Sequence, residues 1–191
     1  MKQPIGDRHI AALQSLAAAL DEIDLTGVLI GGAAVSLIAE PRFTRDVDAL
    51  VIFDTGQLSD FLEVLERHYL VPLFPDMESF ARVSRVAPLK HTPTGIVVDV
   101  ALGCMPFEAE VIERARPAPD AAIGLLLPSP EDLIVLKAIA NRPKDQEDIR
   151  NIVAVYPDLD RKRVKDWVRQ YSELLETPGL WSEIEPLLNG E

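Results

Sequence analysis

The chain has few of the residues that hold small folds together from outside. Its single cysteine, Cys104, cannot form an internal disulfide, so folding does not depend on an oxidising compartment. Its nearest residues include no base partner, and the thiol reads as structural. The three histidines, His9, His68 and His91, are scattered and offer no metal-ligand spacing. Aromatic residues make up only 6% of the chain. No apolar run approaches the ~20 residues that span a bilayer, and the opening stretch MKQPIGDRHI lacks the apolar centre of a secretory signal. The expectation is a cytoplasmic protein with no membrane partner. Positive charge is scarce as well. Nineteen Lys and Arg face 31 Asp and Glu, a formal net charge of −12. A protein that grips long nucleic acid by charge alone is basic. A small anionic substrate stays open, provided local cations or a metal ion offset the field.

What the chain does have is ordinary globular substance. It has 191 residues, 48% of them hydrophobic, enough to bury a core without staples. Apolar residues from Ile10 to Ile23 recur at helical spacing, predicting a helix over 7–24. Residues 25–30 read as a buried strand broken by Gly31-Gly32. A short apolar helix over 33–39 ends before Pro41. A strand over 47–52, a turn at 54–56, a helix over 58–68 and a short strand over 69–74 follow. Residues 80–86 and 96–102 read as two strands of a hairpin around the turn 91–95. A helix over 107–115 and a strand over 123–127 complete the α/β part, residues 1–127. From 128 to 191 the pattern is helical, packed on that core. Ser129 caps the first helix, with Pro130 at its first position. Two more helices are expected, ending at Tyr156 and spanning 160–175. The basic run Arg161-Lys162-Arg163, with Lys165 and Arg169, reads as a solvated helix face, with RNA or protein contact as the alternative.

Three features carry chemistry. Gly31-Gly32 stands where a strand turns into a helix, and glycine there lets a backbone approach a phosphate at a helix N-terminus. Asp46 and Asp48 open the next strand two residues apart, so both point to one face. Two adjacent carboxylates repel, and a divalent cation would relieve them. Asp99 sits in the β-branched run 96–100, where burying a carboxylate is costly unless it is paired or binds metal. Each has a plain alternative: a structural turn, two solvated aspartates, and pairing of Asp99 with Arg82 or Arg85.

Together these residues resemble the nucleotidyltransferase superfamily of the DNA polymerase beta-like fold. Gly31 and Gly32 match its turn, Asp46 and Asp48 its metal pair, and Asp99 its third carboxylate. The resemblance implies an α/β (α+β) fold: a nucleotidyltransferase-like mixed sheet flanked by helices, with a C-terminal helical part. It also implies Asp46, Asp48 and Asp99 as catalytic and metal-holding residues, Mg²⁺ as cofactor and an NTP as substrate. The stretch Thr44-Arg45-Asp46-Val47-Asp48, with Lys137 on a later helix and Lys144-Asp145-Gln146-Glu147-Asp148 after it, looks like the AbiEii-type toxin or minimal nucleotidyltransferase branch. On that likeness Gly31, Gly32, Thr44, Arg45, Lys137, Lys144 and Asp148 would bind nucleotide. Lys137 also shares a helix face with Leu133 and Ile134, and its stem alternatively runs along that face to water. Asp148 alternatively pairs with Lys137 or Lys144.

The function implied is transfer of a nucleotide to a tRNA or protein acceptor in a toxin–antitoxin setting with a cognate toxin or antitoxin partner. Two alternatives stand beside it: an antitoxin that adenylylates a partner protein, and a non-catalytic nucleotide-binding module. Arg42 and Arg45 flank the site and could meet phosphates, with surface solvation the default reading for Arg42.

Overall fold

The computed structural model describes residues 5–190. These form two compact units, residues 5–37 with 41–128, and residues 38–40 with 129–190. The first holds a seven-stranded mixed sheet flanked by helices. In chain order it contains α1 (Asp7–Glu22), β1 (Val28–Ile30), α2 (Gly31–Ile38, its last residue in the other unit), β2 (Asp46–Ile52), α3 (Leu58–Arg67), β3 (Leu70–Pro72), α4 (Met77–Ser84), β4 (Val86–His91), β5 (Val97–Gly103), α5 (Pro106–Arg114), β6 (Arg116–Pro117) and β7 (Leu126–Leu127). The strand order is β3-β4-β5-β2-β1-β7-β6. β2 runs parallel to β5 and antiparallel to β1, and β4 and β5 form the antiparallel hairpin.

The central strands are apolar because they are covered. Val28, Leu29, Val47, Ala49, Leu50, Val51, Val98, Val100 and Leu102 are all buried. α1 buries Leu13, Leu16 and Leu20, the stripe that its 3.6-residue period places on one side. Against this background the half-exposed polar positions of β2 and β5 stand out, and they fall at the start of each strand.

The expected strand over 80–86 is not one. Residues 77–84 are helical, and the strand begins at Val86. Met77 and Ala81, one turn apart, are the buried pair of that helix, while Val83 and Phe80 stay exposed. Arg85 ends it in the left-handed region at φ 59°. The Arg85 guanidinium then bonds the carbonyls of Phe53 and Leu102, at 2.8 Å each. The reading failed because Phe80 and Val83 favour strands locally, whereas the buried positions follow a helical period. The segment 123–127 also differs: a 3₁₀ turn covers Ala121–Ile123, and only Leu126–Leu127 pair as β7.

The second unit is built from α6 (Pro130–Ala140), α7 (Pro143–Val155), α8 (Arg161–Leu174) and α9 (Leu180–Leu188). Ser129 caps α6 as expected, its Oγ accepting from the Asp132 amide at 3.2 Å. α9 was not anticipated. It buries Leu180, Ile184, Leu187 and Leu188 at helical spacing and accommodates Pro186 in its last turn. No helix among the described residues is long and apolar enough to cross a membrane.

Candidate active site

The site is set by strand register. β1 ends at Ile30 opposite Asp48, and Asp48 lies in register with Asp99 on the parallel neighbour β5. In-register residues of neighbouring strands point to the same side, and residues two apart on one strand share a face. Asp46, Asp48 and Asp99 therefore lie on one face, at the edge of the sheet where β1 ends and β2 and β5 begin. All three are half-buried. Arg82 and Arg85 do not pair with Asp99. Arg82 bonds Glu78 and the Thr55 carbonyl, and Arg85 holds carbonyls at the other end of β5. Among the described residues the Asp99 carboxyl has no hydrogen bond or ion pair. Burial raises the pKa of its carboxyl above the ordinary carboxylate range, and the charge of Asp46 adds to that rise.

Gly31 closes this edge. Its φ is +63°, and a Cβ built on it would stand 1.9 Å from Asp48 Oδ2. Only glycine meets both conditions: the left-handed backbone and the carboxylate lying against it. Gly32 has an ordinary φ but also a close neighbour, the Arg42 guanidinium, whose Nη2 would be 2.7 Å from an added Cβ. Thr44 ties the loop to the strand. Its Oγ1 lies 3.0 Å from the Asp46 carbonyl and 3.2 Å from Asp46 Oδ1, which share its proton. Arg45 is exposed.

Among the described residues no three His, Cys, Asp or Glu side chains stand ready as a metal cage. The donor set nevertheless suits a hard divalent cation. Three carboxylates share one face on strands about 4.8 Å apart, within reach of a side-chain rotation. Asp99 in particular is a half-buried carboxylate with no cation of its own.

Three other expected residues lie in the helical unit. Lys137 is 4% exposed on α6, and its Nζ lies 3.0 Å from Asp145 Oδ1 and 2.8 Å from Asp148 Oδ2, both on α7. Asp145 also accepts from the Arg142 amide and guanidinium. Burial opposes its ionisation, but bonds from Arg142 and Lys137 outweigh that and hold its pKa low. Asp148 thus pairs with Lys137, one of the alternatives the sequence leaves open. Lys144 is exposed. In the sheet unit one default reading changes, that of Arg42, and one residue, Lys90, escaped the sequence reading. Arg42 is half-buried against Gly32 rather than solvated. Lys90 lies in register with Val97, which is itself in register with Asp46, so it brings a positive charge to the site face.

The comparisons with known proteins agree with this fold. Residues 8–178 match the family described as "Nucleotidyltransferase of unknown function (DUF6036)". The chain belongs to this nucleotidyltransferase family. Solved structures share the fold of this nucleotidyltransferase. One is the solution structure of the antibiotic-resistance factor ANT(2'')-Ia, at TM-score 0.58 and 14% identity, covering 87% of this chain and 92% of that one. ANT(2'')-Ia in complex with adenylyl-2''-tobramycin gives TM-score 0.57 at 14% identity, covering 87% and 98%. An antigenic nucleotidyltransferase-like protein from Paracoccidioides brasiliensis gives TM-score 0.56 at 19% identity, covering 94% and 93%. No curated protein matches the chain in sequence. The nucleotidyltransferase resemblance read from the glycine turn and the aspartates thus holds at the level of superfamily and fold.

Proposed function

We propose that this nucleotidyltransferase moves a nucleotide from an NTP to an acceptor hydroxyl with Mg²⁺ held by Asp46, Asp48 and Asp99. The single observation that carries this reading is the register that puts Asp48 beside Asp99 and both on the face of Asp46. Bound Mg²⁺ would supply positive charge against the triphosphate and the departing pyrophosphate. The acceptor oxygen bonds to the α-phosphorus while the bond to the pyrophosphate oxygen breaks. Asp99, the third carboxylate on this face, is the candidate to take the acceptor's proton. Gly31 keeps the Asp48 carboxyl in place, and Thr44 orients Asp46. In this reading Gly32, Thr44 and Arg45 line the nucleotide.

The acceptor we favour is a protein or RNA hydroxyl in a toxin–antitoxin setting, supported by the AbiEii-like arrangement of Thr44–Asp48, Lys137 and Lys144–Asp148. Within the helical unit, the pairing of Lys137 with Asp148 holds that end of α7 in place. A net charge of −12 favours a protein over an unaided polyanion. The same charge supports a second reading, a polycationic small acceptor, of the kind seen as adenylyl-2''-tobramycin on ANT(2'')-Ia.

The test incubates the purified protein with each α-labelled NTP and Mg²⁺. Total tRNA, the product of the adjacent gene or tobramycin is offered as acceptor. Label on RNA supports a toxin acting on tRNA, label on protein an antitoxin that modifies its partner, and label on tobramycin the second reading. Nucleotide binding with no labelled acceptor points to a non-catalytic module, and no Mg²⁺-dependent binding of any NTP refutes the proposal.

A further inference from the structure

A triphosphate brought to this edge meets three carboxylates, and beside bound Mg²⁺ a cation of the protein would offset their charge. α2 supplies none: its sequence, GGAAVSLI, has no charged residue. The cation seated at the glycine turn is Arg42. Its guanidinium lies against Gly32, with Nη2 2.7 Å and Cζ 3.1 Å from where a Cβ would be. One residue earlier, the same glycine pair touches the Asp48 carboxyl. The glycine turn thus touches the Asp48 carboxyl at Gly31 and the Arg42 guanidinium at Gly32.

The backbone of Arg42 is held there. Ser36, 2% exposed on α2, accepts from the Arg42 amide at 3.3 Å. Its Oγ also lies 3.0 Å from the carbonyls of Arg42 and Gly32, one of which takes its proton. A buried hydroxyl therefore fixes the main chain from which the guanidinium reaches. Arg45, nearer to Asp46 in sequence, is exposed.

We propose that Arg42 binds the triphosphate of the nucleotide substrate at the Gly31–Gly32 turn, and that Gly32 lacks a side chain so that this guanidinium can lie there. Arginine suits the task because its planar fork bonds two phosphate oxygens at once. The inference rests on the nucleotidyl-transfer reading above and adds a residue that reading does not use.

The test titrates each of the four NTPs and the matching monophosphates, with Mg²⁺, into the wild type and four variants by calorimetry. Arg42→Ala should weaken NTP binding about 10- to 100-fold, the range of a charge-assisted contact, and leave monophosphate binding nearly unchanged. Arg42→Lys keeps the charge without the fork and should fall between. Gly32→Ala pushes the guanidinium aside and should resemble Arg42→Ala. Arg67→Ala, an exposed arginine on α3, should match the wild type. If Arg42→Ala fails to fold by circular dichroism, Arg42→Lys and Gly32→Ala carry the test. NTP affinity unchanged in the Arg42 variants, or lost equally for NTP and monophosphate, overturns the role of Arg42 alone. A wild type that binds none of the four NTPs overturns the nucleotidyl-transfer reading, and this inference falls with it.

Discussion

Replacing Gly31 by alanine tests the architecture of the site at its tightest point. The added Cβ would meet Asp48 Oδ2 at 1.9 Å, Cγ at 2.5 Å and Cβ at 2.8 Å. Ordinary contact needs more than 3 Å, so the carboxylate must move by over an ångström, and the nearby Cβ leaves it little room to swing. The backbone adds a second cost, since φ +63° is left-handed and disfavours any side chain by about 1–2 kcal/mol. Forcing Asp48 off its rotamer adds about 0.5–1.5 kcal/mol. The sum is about 1.5–3.5 kcal/mol, or about 3–14 °C in Tm for a chain of this size. The chemistry should suffer more, because an ångström of misplacement at a reacting centre costs about 10²-fold. Gly32→Ala is the internal control: its Cβ meets the far end of a flexible arginine at an ordinary φ, so Tm should barely move. The assays are thermal melts and Mg²⁺-dependent transfer or NTP affinity. A Gly31→Ala protein with wild-type Tm and wild-type turnover would refute the placement of Asp48 against the turn.

Asp46→Asn and Asp48→Asn should each abolish nucleotide transfer with little loss of Tm, since both side chains are half-buried at a strand start; transfer unchanged in both would reject the site. Lys137→Met should cost about 3–5 kcal/mol in urea unfolding, because it leaves the buried carboxylates of Asp145 and Asp148 without their shared ammonium; a loss under about 1 kcal/mol would show that the pair is solvated. His91 is 2% exposed between Ser15 and Thr94, and burial pushes its pKa below the ordinary 6.5. The unfolded chain therefore takes up the proton first, so this contribution to stability is full above pH 6.5 and declines as pH falls below it. Urea melts from pH 8 to 5 should show that decline, and His91→Gln should flatten it.

Local pattern and chemistry made much of this protein legible in the sequence. A two-residue period places Asp46 and Asp48 on one face whatever their neighbours are. A glycine pair between a strand and a helix marks a close approach, and the Ser129-Pro130 start fixes where α6 begins. These are short-range properties, written in a few adjacent residues. The third carboxylate was recognisable as costly, yet nothing local could say which strand it faces. Only pairing in the sheet brought Asp99 beside Asp48 and took it away from Arg82 and Arg85. The misread strand over 80–86 has the same origin. Its side chains favour extended backbone, and the burial of Met77 and Ala81 decided for a helix.

Arg42 shows the limit most clearly. In the sequence it is one of two arginines before an acidic pair, with solvent as its default surroundings. Its seat against Gly32 depends on a turn in space that brings residues ten apart into contact, held by Ser36. Lys137 likewise read as one cation on an apolar helix face, and the packing of α6 on α7 gave it two carboxylates. The sequence by itself determined which chemical groups are present and which share a strand face, because backbone periodicity is local. The tertiary structure alone decided which of those groups meet, because register, burial and close approach are set by residues distant in the chain.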